Sequence, residues 1–416
     1  MKRHCWFPIF LTCLLFLFGF SPGWYAPQQD KAQVNDEPAD APEVRQQIAV
    51  VEKRLPQLVD RGAGLYFLAA SKQHLGETRD ALRLLKECLA LHQGFDPAGS
   101  PELGVLKGSK EFDDLVANVH REFPAVTQSR IAFVTEEKDL IPEGLAYDAG
   151  RKVFYLSSLN RRKIVKITAD GRVTDFVPAG RDALLPILGI RLDSSDGTVW
   201  ANSWEQNGDR SELLHFDAAG QLLARYPPND AVKHGFNDLV LRKTGEVLLT
   251  DSVGNQVLRF DRNAHTFRPL PVSRALSAPN GIALDDDDRQ LYTADDFGIV
   301  RVDLASGSSA EVPPGPRNTL AGIDGLYWHK GTLIAVQNAI GSPRIAAFTL
   351  SRDGAQVIKT TVLENRSPFT ILPTTGALRD NDFYFIVNSQ SDNMNGDHIM
   401  DVTRLQPVRI AVLRLR

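Results

Sequence analysis

The sequence predicts a mainly β protein: a six-bladed β-propeller over residues 130–416, preceded by a small α-helical domain. Three observations carry that reading. One strand pair recurs six times from residue 142 onward. The copies follow each other at 45, 49, 43, 44 and 51 residues, the length of a four-stranded propeller blade. Helical periodicity, by contrast, is confined to the chain before residue 125.

The 416 residues carry 47 Lys and Arg against 51 Asp and Glu, a net charge of −4, with no long basic run. That argues against nucleic acid as a partner, which would leave a basic footprint. The first segment has the pattern of an export signal. Lys2, Arg3 and His4 form a positive start, and Phe7 to Phe20 form an apolar run too short for an ordinary membrane span. Residues 1–26 are expected to leave as a signal peptide, with an uncleaved anchor as the alternative. Cleavage gives a periplasmic or secreted protein with no stable membrane span. Cys5 and Cys13 leave with the signal, so Cys88 has no partner for an intramolecular disulfide. Residues 27–42, PQQDKAQVNDEPADAP, are polar and proline-bearing and read as a linker.

Residues 43–125 read as helical. Leu65, Leu68, Ala69 and Lys72 share one stripe; after Gly76, a second stripe holds Ala81, Leu82, Leu85, Cys88 and Leu89. The spacing of Gly76, Ala81, Leu85 and Cys88 resembles a tetratricopeptide-like helix pair, with a plain helical bundle as the alternative. Glu111 to Phe123 forms another amphipathic helix. A single unit of this kind is not independently stable, so it should pack on the neighbouring domain. It is also where a protein partner would dock.

The six copies are PEGLAYDAGRKVFYLSS, LGIRLDSSDGTVWANS, FNDLVLRKTGEVLLTDS, PNGIALDDDDRQLYTAD, IDGLYWHKGTLIAVQN and TTGALRDNDFYFIVNS. Each has a leading residue, usually a glycine next, an apolar strand, a polar turn and a second strand ending in a hydroxyl, amide or acid. The segment Arg130 to Glu136 has no blade of its own. It is expected to pair beside the last strand, RIAVLRLR, and close the ring, because an open sheet edge is a pairing liability.

In a propeller the first strand of each blade lines the central channel, so the leading residues form a ring at one rim. They are Glu143, Leu188, Asn237, Asn280, Asp324 and Thr375. Four of them, Glu143, Asn237, Asn280 and Asp324, offer carboxylate or amide oxygens. An oxygen-only set suits one hard divalent cation, calcium first, with magnesium, manganese or zinc as alternatives. Glycine-flanked Asn and Asp also recur as plain turn formers; Glu143, in the same slot, is not one. The turns after the second strands bring Ser157, Asn160, Asn202, Trp204, Asp251, Asn255, Asp295, Asp296, Gln337, Asn338, Asn388 and Ser389 to that rim. With Phe236 and Trp204 as apolar walls, the rim would bind a small polar molecule.

The stretches PEGLAYD, FNDLV, APNGIALD and GIDGL resemble the metal-binding motifs of the senescence marker protein, gluconolactonase and luciferin-regenerating enzyme family. That resemblance implies a metal at Glu143, Asn237, Asn280 and Asp324, a lactone or related ester as substrate, and Asp324 as general base as well as ligand. The chain departs from the family at Gly235, where gluconolactone-type members carry Arg, and from paraoxonases at Leu188, where those carry His. His234 lies in the loop leading into the third blade. It is a candidate auxiliary base, with an exposed loop histidine as the alternative. The competing functional reading is a non-catalytic binding or scaffold propeller in which the cation is structural and the helical region docks a partner. No Gly-x-Ser-x-Gly elbow, His-Glu-x-x-His helix or phosphate loop occurs.

Overall fold

The computed structural model describes residues 38–206, 210–396 and 398–416. The expected signal peptide and most of the linker lie outside the described residues. Helix α1 (Ala41–Arg54) starts two residues before the expected boundary at 43, because Pro42 occupies its first turn, where a missing N–H costs nothing. Helix α2 (Arg61–His74) is capped by Asp60, whose side chain accepts from the Ala63 amide at 3.3 Å. Every residue of α2 from Gly62 to Ser71 is buried, so this helix has no polar face and must be covered on all sides. Helix α3 (Thr78–Leu89) buries Ala81, Leu84, Leu85 and Cys88 on one side and packs back against α2 as a hairpin. Helix α4 (Lys110–Glu122) falls where the amphipathic pattern put it. Helices α2 and α3 form one antiparallel helix pair, which a plain helical bundle also contains.

Six four-stranded antiparallel blades follow, and the sequence copies supply their inner and second strands. The inner strands are Pro142–Asp148, Ile187–Leu192, Phe236–Leu241, Ile282–Leu284, Ile323–His329 and Gly376–Arg379. They touch one another in cyclic order around the channel. The closing strand forms as expected. Arg130–Thr135 pairs antiparallel with Val408–Arg414, with Ile131 opposite Ala411, and completes the sixth blade. Val126–Thr127 adds a short fifth strand to the edge of blade five.

The hydrophobic core is not central. It is split into apolar layers, one between each pair of neighbouring blades: Trp200 with Phe236 between blades two and three, Leu248 with Leu291 between three and four, Phe154 with Tyr384 between six and one. Blades are therefore apolar on both faces, and only the channel ends and outer edges remain for polar work.

The helical domain docks on blades four and five, on the rim side of the channel. Phe297, Ala321 and Ile340 of the propeller belong to the same apolar cluster as Leu65, Phe67, Leu68 and Phe112. Polar pins fix the registry. Asp60 Oδ2 accepts from Thr319 Oγ1 at 2.6 Å and from the Leu320 amide at 3.0 Å. Gln93 Nε2 donates to the Asn318 carbonyl at 2.9 Å, and Ser342 Oγ donates to Asp96 Oδ2 at 2.7 Å. The expectation that this unit packs on its neighbour is met.

Candidate metal and binding site at the channel mouth

The leading residues reach the channel because the strand ladder breaks at them. The pairing register shifts between Pro142 and Leu145, Ile187 and Ile190, Phe236 and Leu239, and Ile323 and Gly325. A bulge leaves the extra residue out of the ladder and re-aims its side chain. In blade four Asn280 precedes the inner strand, held by its amide on the Ala294 carbonyl at 2.9 Å. The glycine that follows has a packing reason. A Cβ on Gly144 would lie 2.2 Å from the Leu188 carbonyl oxygen, and one on Gly281 2.7 Å from the Asp324 carbonyl oxygen. Asn280-Gly281 is thus not a hairpin turn but a close approach between neighbouring inner strands.

Glu143, Asn237, Asn280 and Asp324 all line one cavity of about 150 Å³, together with Leu188, Trp204, Gln206 and Asn338. Asp324 sits at the middle of a hydrogen-bond chain. Asn280 Nδ2 donates to its Oδ1 at 2.8 Å and Asn338 Nδ2 to its Oδ2 at 2.6 Å. Asn237 Nδ2 donates to Ser252 Oγ at 3.1 Å. Asn280 Oδ1 is buried and, among the described residues, has no hydrogen-bond partner. Burial pushes the Glu143 carboxyl well up, and the charges of Asp324 and Asp238 add to it. Burial likewise pushes Asp324 up to about 7; the amides of Asn338 and Asn280 pull it back and Asp238 adds to the rise. Among the described residues no three His, Cys, Asp or Glu side chains gather as a metal-binding group. The mouth instead combines two carboxylates with two amides. A lone buried amide oxygen and two acids pushed up by burial form a donor set that fits a hard cation.

Most rim residues expected to face a ligand do something else. Ser157 and Asn202 latch neighbouring blades together, as do Thr250, beside the expected Asp251, and the leading residue Thr375. Ser157 Oγ donates to the Leu188 carbonyl at 2.7 Å, Asn202 Nδ2 to the Asp238 carbonyl at 3.1 Å, and Thr250 Oγ1 to the Asn280 carbonyl at 2.8 Å. Thr375 Oγ1 closes the circle on the Glu143 carbonyl at 2.5 Å. Asp295 holds the Arg274 guanidinium, with Nη2 at 2.9 Å, and Gln337 Oε1 accepts from Arg344 Nη2 at 2.6 Å. Phe236 is fully buried between blades two and three and forms no wall of the cavity. Trp204 does line it.

His234 is not an exposed loop histidine: it is 3 % exposed. Its Nδ1 lies 2.6 Å from Asp251 Oδ2 and its Nε2 2.8 Å from Asp230 Oδ1. Burial opposes the charged ring, but the two carboxylates outweigh it and hold His234 up to about 8. It does not line the mouth, and both its nitrogens are engaged, so its geometry favours a pinned loop over a base.

The cavity also has walls that the repeat pattern could not supply. Tyr66 and Ala70 of α2 and the segment Gly99 to Glu102 lie over the mouth. The one available signal was the apolar run GLYFLAA, which has too little polar surface for a helix with a solvent face.

No family model and no curated protein matches the chain. Solved structures match its fold. The PQQ-bound aldose sugar dehydrogenase of Streptomyces coelicolor is 15% identical, covering 70% of this chain and 98% of its own, with a TM-score of 0.50. A putative oxidoreductase (glucose dehydrogenase) of Thermus thermophilus is 14% identical, covering 68% and 100%, with a TM-score of 0.50. A gluconolactonase of Xanthomonas campestris is 16% identical, covering 70% and 91%, with a TM-score of 0.47. At such identities the likeness is one of fold alone, and the chemistry of this chain must be argued from its own residues.

Proposed function

We propose that the protein is an exported, metal-dependent hydrolase of a lactone or related ester, acting at the channel mouth. The observation that carries this reading is the convergence of Glu143, Asn237, Asn280 and Asp324 on one cavity, with an amide oxygen left unpaired there. These four would hold one divalent cation, calcium by preference. When bound, such an ion polarises a carbonyl and lowers the pKa of a coordinated water. The chain's own residues supply the rest. The Asn280 and Asn338 amides fix both oxygens of Asp324, so a carboxylate is presented in one orientation to take a proton from water. Trp204 and Leu188 give the substrate an apolar wall, and the helical cap limits access by bulk water.

The test is a panel of lactones and esters assayed with calcium and with chelator. Turnover that disappears in chelator and returns with the ion supports the reading. Metal-loaded protein that hydrolyses nothing in the panel moves the assignment to a binding propeller with a structural cation. The helical domain gives that alternative little help as a docking module, since its core continues into blades four and five of its own chain.

A further inference from the structure

We infer that Glu102, brought to the mouth by the helical cap, sets the charge preference of the cavity: it admits a small molecule bearing ammonium or hydroxyl donors and rejects anions. The inference rests on the channel mouth being the ligand site proposed above.

Among the described residues the lining contains Glu102, Glu143, Asp324 and Asp392 and not one Lys, Arg or His. Asp392 faces Arg404 Nη2 at 3.5 Å. Glu102 accepts from Ser100 Oγ at 2.8 Å and, among the described residues, forms no ion pair. A divalent cation on Glu143 and Asp324 would balance those two acids and leave Glu102 as surplus negative charge. The amide oxygens of Asn237 and Asn280, free of protein donors, would be taken by that ion and add no positive charge to the lining. Asn237, 7 % exposed, gives its amide N–H to Ser252, and among the described residues its oxygen takes no hydrogen bond. Asn280 Oδ1 is likewise unpartnered.

Size narrows the class further. A cavity of about 150 Å³ accommodates a single small ring, a ligand of roughly six to ten non-hydrogen atoms. The cap makes this limit, because Tyr66, Ser100 and Glu102 stand where an uncapped propeller would open to solvent. It also excludes part of the water that would screen Glu102, which strengthens its discrimination.

Three ring compounds that share a lactam and resist hydrolysis test this: α-amino-γ-butyrolactam, α-hydroxy-γ-butyrolactam and pyroglutamate, titrated calorimetrically into calcium-loaded full-length protein near neutral pH. The amino compound should bind about 10-fold or more tighter than pyroglutamate, with the hydroxy compound between them. Glu102→Gln, which keeps the shape and the Ser100 contact, should bring the amino compound and pyroglutamate within about 3-fold of each other at unchanged melting temperature. Equal affinity for the amino compound and pyroglutamate in the native protein overturns the inference. So does a preference that survives Glu102→Gln, or no binding of any of the three. Binding in the expected order, with no hydrolysis of the matching lactones, upholds the charge preference and sinks the hydrolase reading instead.

Discussion

The two ends of the channel share inner strands, those of all six blades at the mouth and of blades one, two, five and six at the far end, and differ in almost everything else. At the mouth a cavity of about 150 Å³ is lined by carboxylates and amides under a helical cap. At the far end a cavity of about 540 Å³ is lined by Tyr147, Arg151, Arg191, Tyr327 and Leu378. The far-end charges are matched within the protein. Arg191 Nη2 lies 2.9 Å from Asp238 Oδ2, and its guanidinium stands 5.5 Å from the Tyr327 ring centroid. Arg151 Nη1 lies 2.6 Å from Asp148 Oδ2. Among the described residues the mouth keeps two acids pushed up by burial and two amide oxygens without donors. Shared strands therefore produce a self-satisfied end and an unsatisfied one, and the unsatisfied end is where a ligand gains most.

The largest effect should come from removing the mouth's central acid. Asp324→Ala should abolish the calcium-dependent rise in melting temperature and lower any turnover by ~10²–10⁴-fold, as loss of a principal acid–base group does. Thermal denaturation with and without chelator, alongside the hydrolysis assay, reads both. A variant that keeps its calcium response would make the two ends of the channel alike in having no ion site.

Next comes the pair beneath the mouth. Asp238 is 1 % exposed, and Asp238→Ala would strand the Arg191 guanidinium beside Tyr327. The expected loss is about 3 kcal/mol of folding stability, measured by denaturant titration, because a buried charge without its partner is costly. If stability is unchanged, the far end is less self-contained than its geometry says.

His234 gives a smaller, pH-dependent effect. Its folded-state value, held up to about 8, exceeds the ordinary 6.5. Its contribution is therefore complete below about 6.5 and is lost as pH rises through about 8. Between those limits the native protein should lose about 1–2 kcal/mol that His234→Gln does not lose. Stability curves at several pH values decide it, and parallel curves for the two proteins would refute the paired-imidazolium reading. The smallest effect belongs to Arg151 at the far rim, whose side chain is 41% exposed. Arg151→Ala should cost under about 1 kcal/mol and leave calcium stabilisation intact, since exposed ion pairs contribute little.

Repeats and leading residues were legible because both are local. Strand alternation has a period of two, turns are written in a few residues, and a unit of 43–51 residues shows itself when it recurs six times. Closure by Arg130–Thr135 was legible for the same reason: one surplus strand and one open edge leave a single pairing. The glycines after the leading residues were visible but not their purpose, which is the approach of a neighbouring backbone about 45 residues away.

By itself, then, the sequence determined six blades, a helical region ahead of them, and four oxygen-bearing residues at corresponding positions. Tertiary structure alone decided which polar residues face the cavity. Ser157, Asn202 and Thr250 share the composition of ligand-binding side chains, yet their hydroxyls and amides are taken by carbonyls of the next blade. Tertiary structure alone also turned His234 inward between two carboxylates and swung Tyr66, Ser100 and Glu102 over the mouth. The physical reason is range. A leading residue is aimed by a bulge in its own strand, whereas the cap is aimed by contacts such as Asp60 to Thr319 that join residues 259 positions apart and leave no periodic trace in the chain.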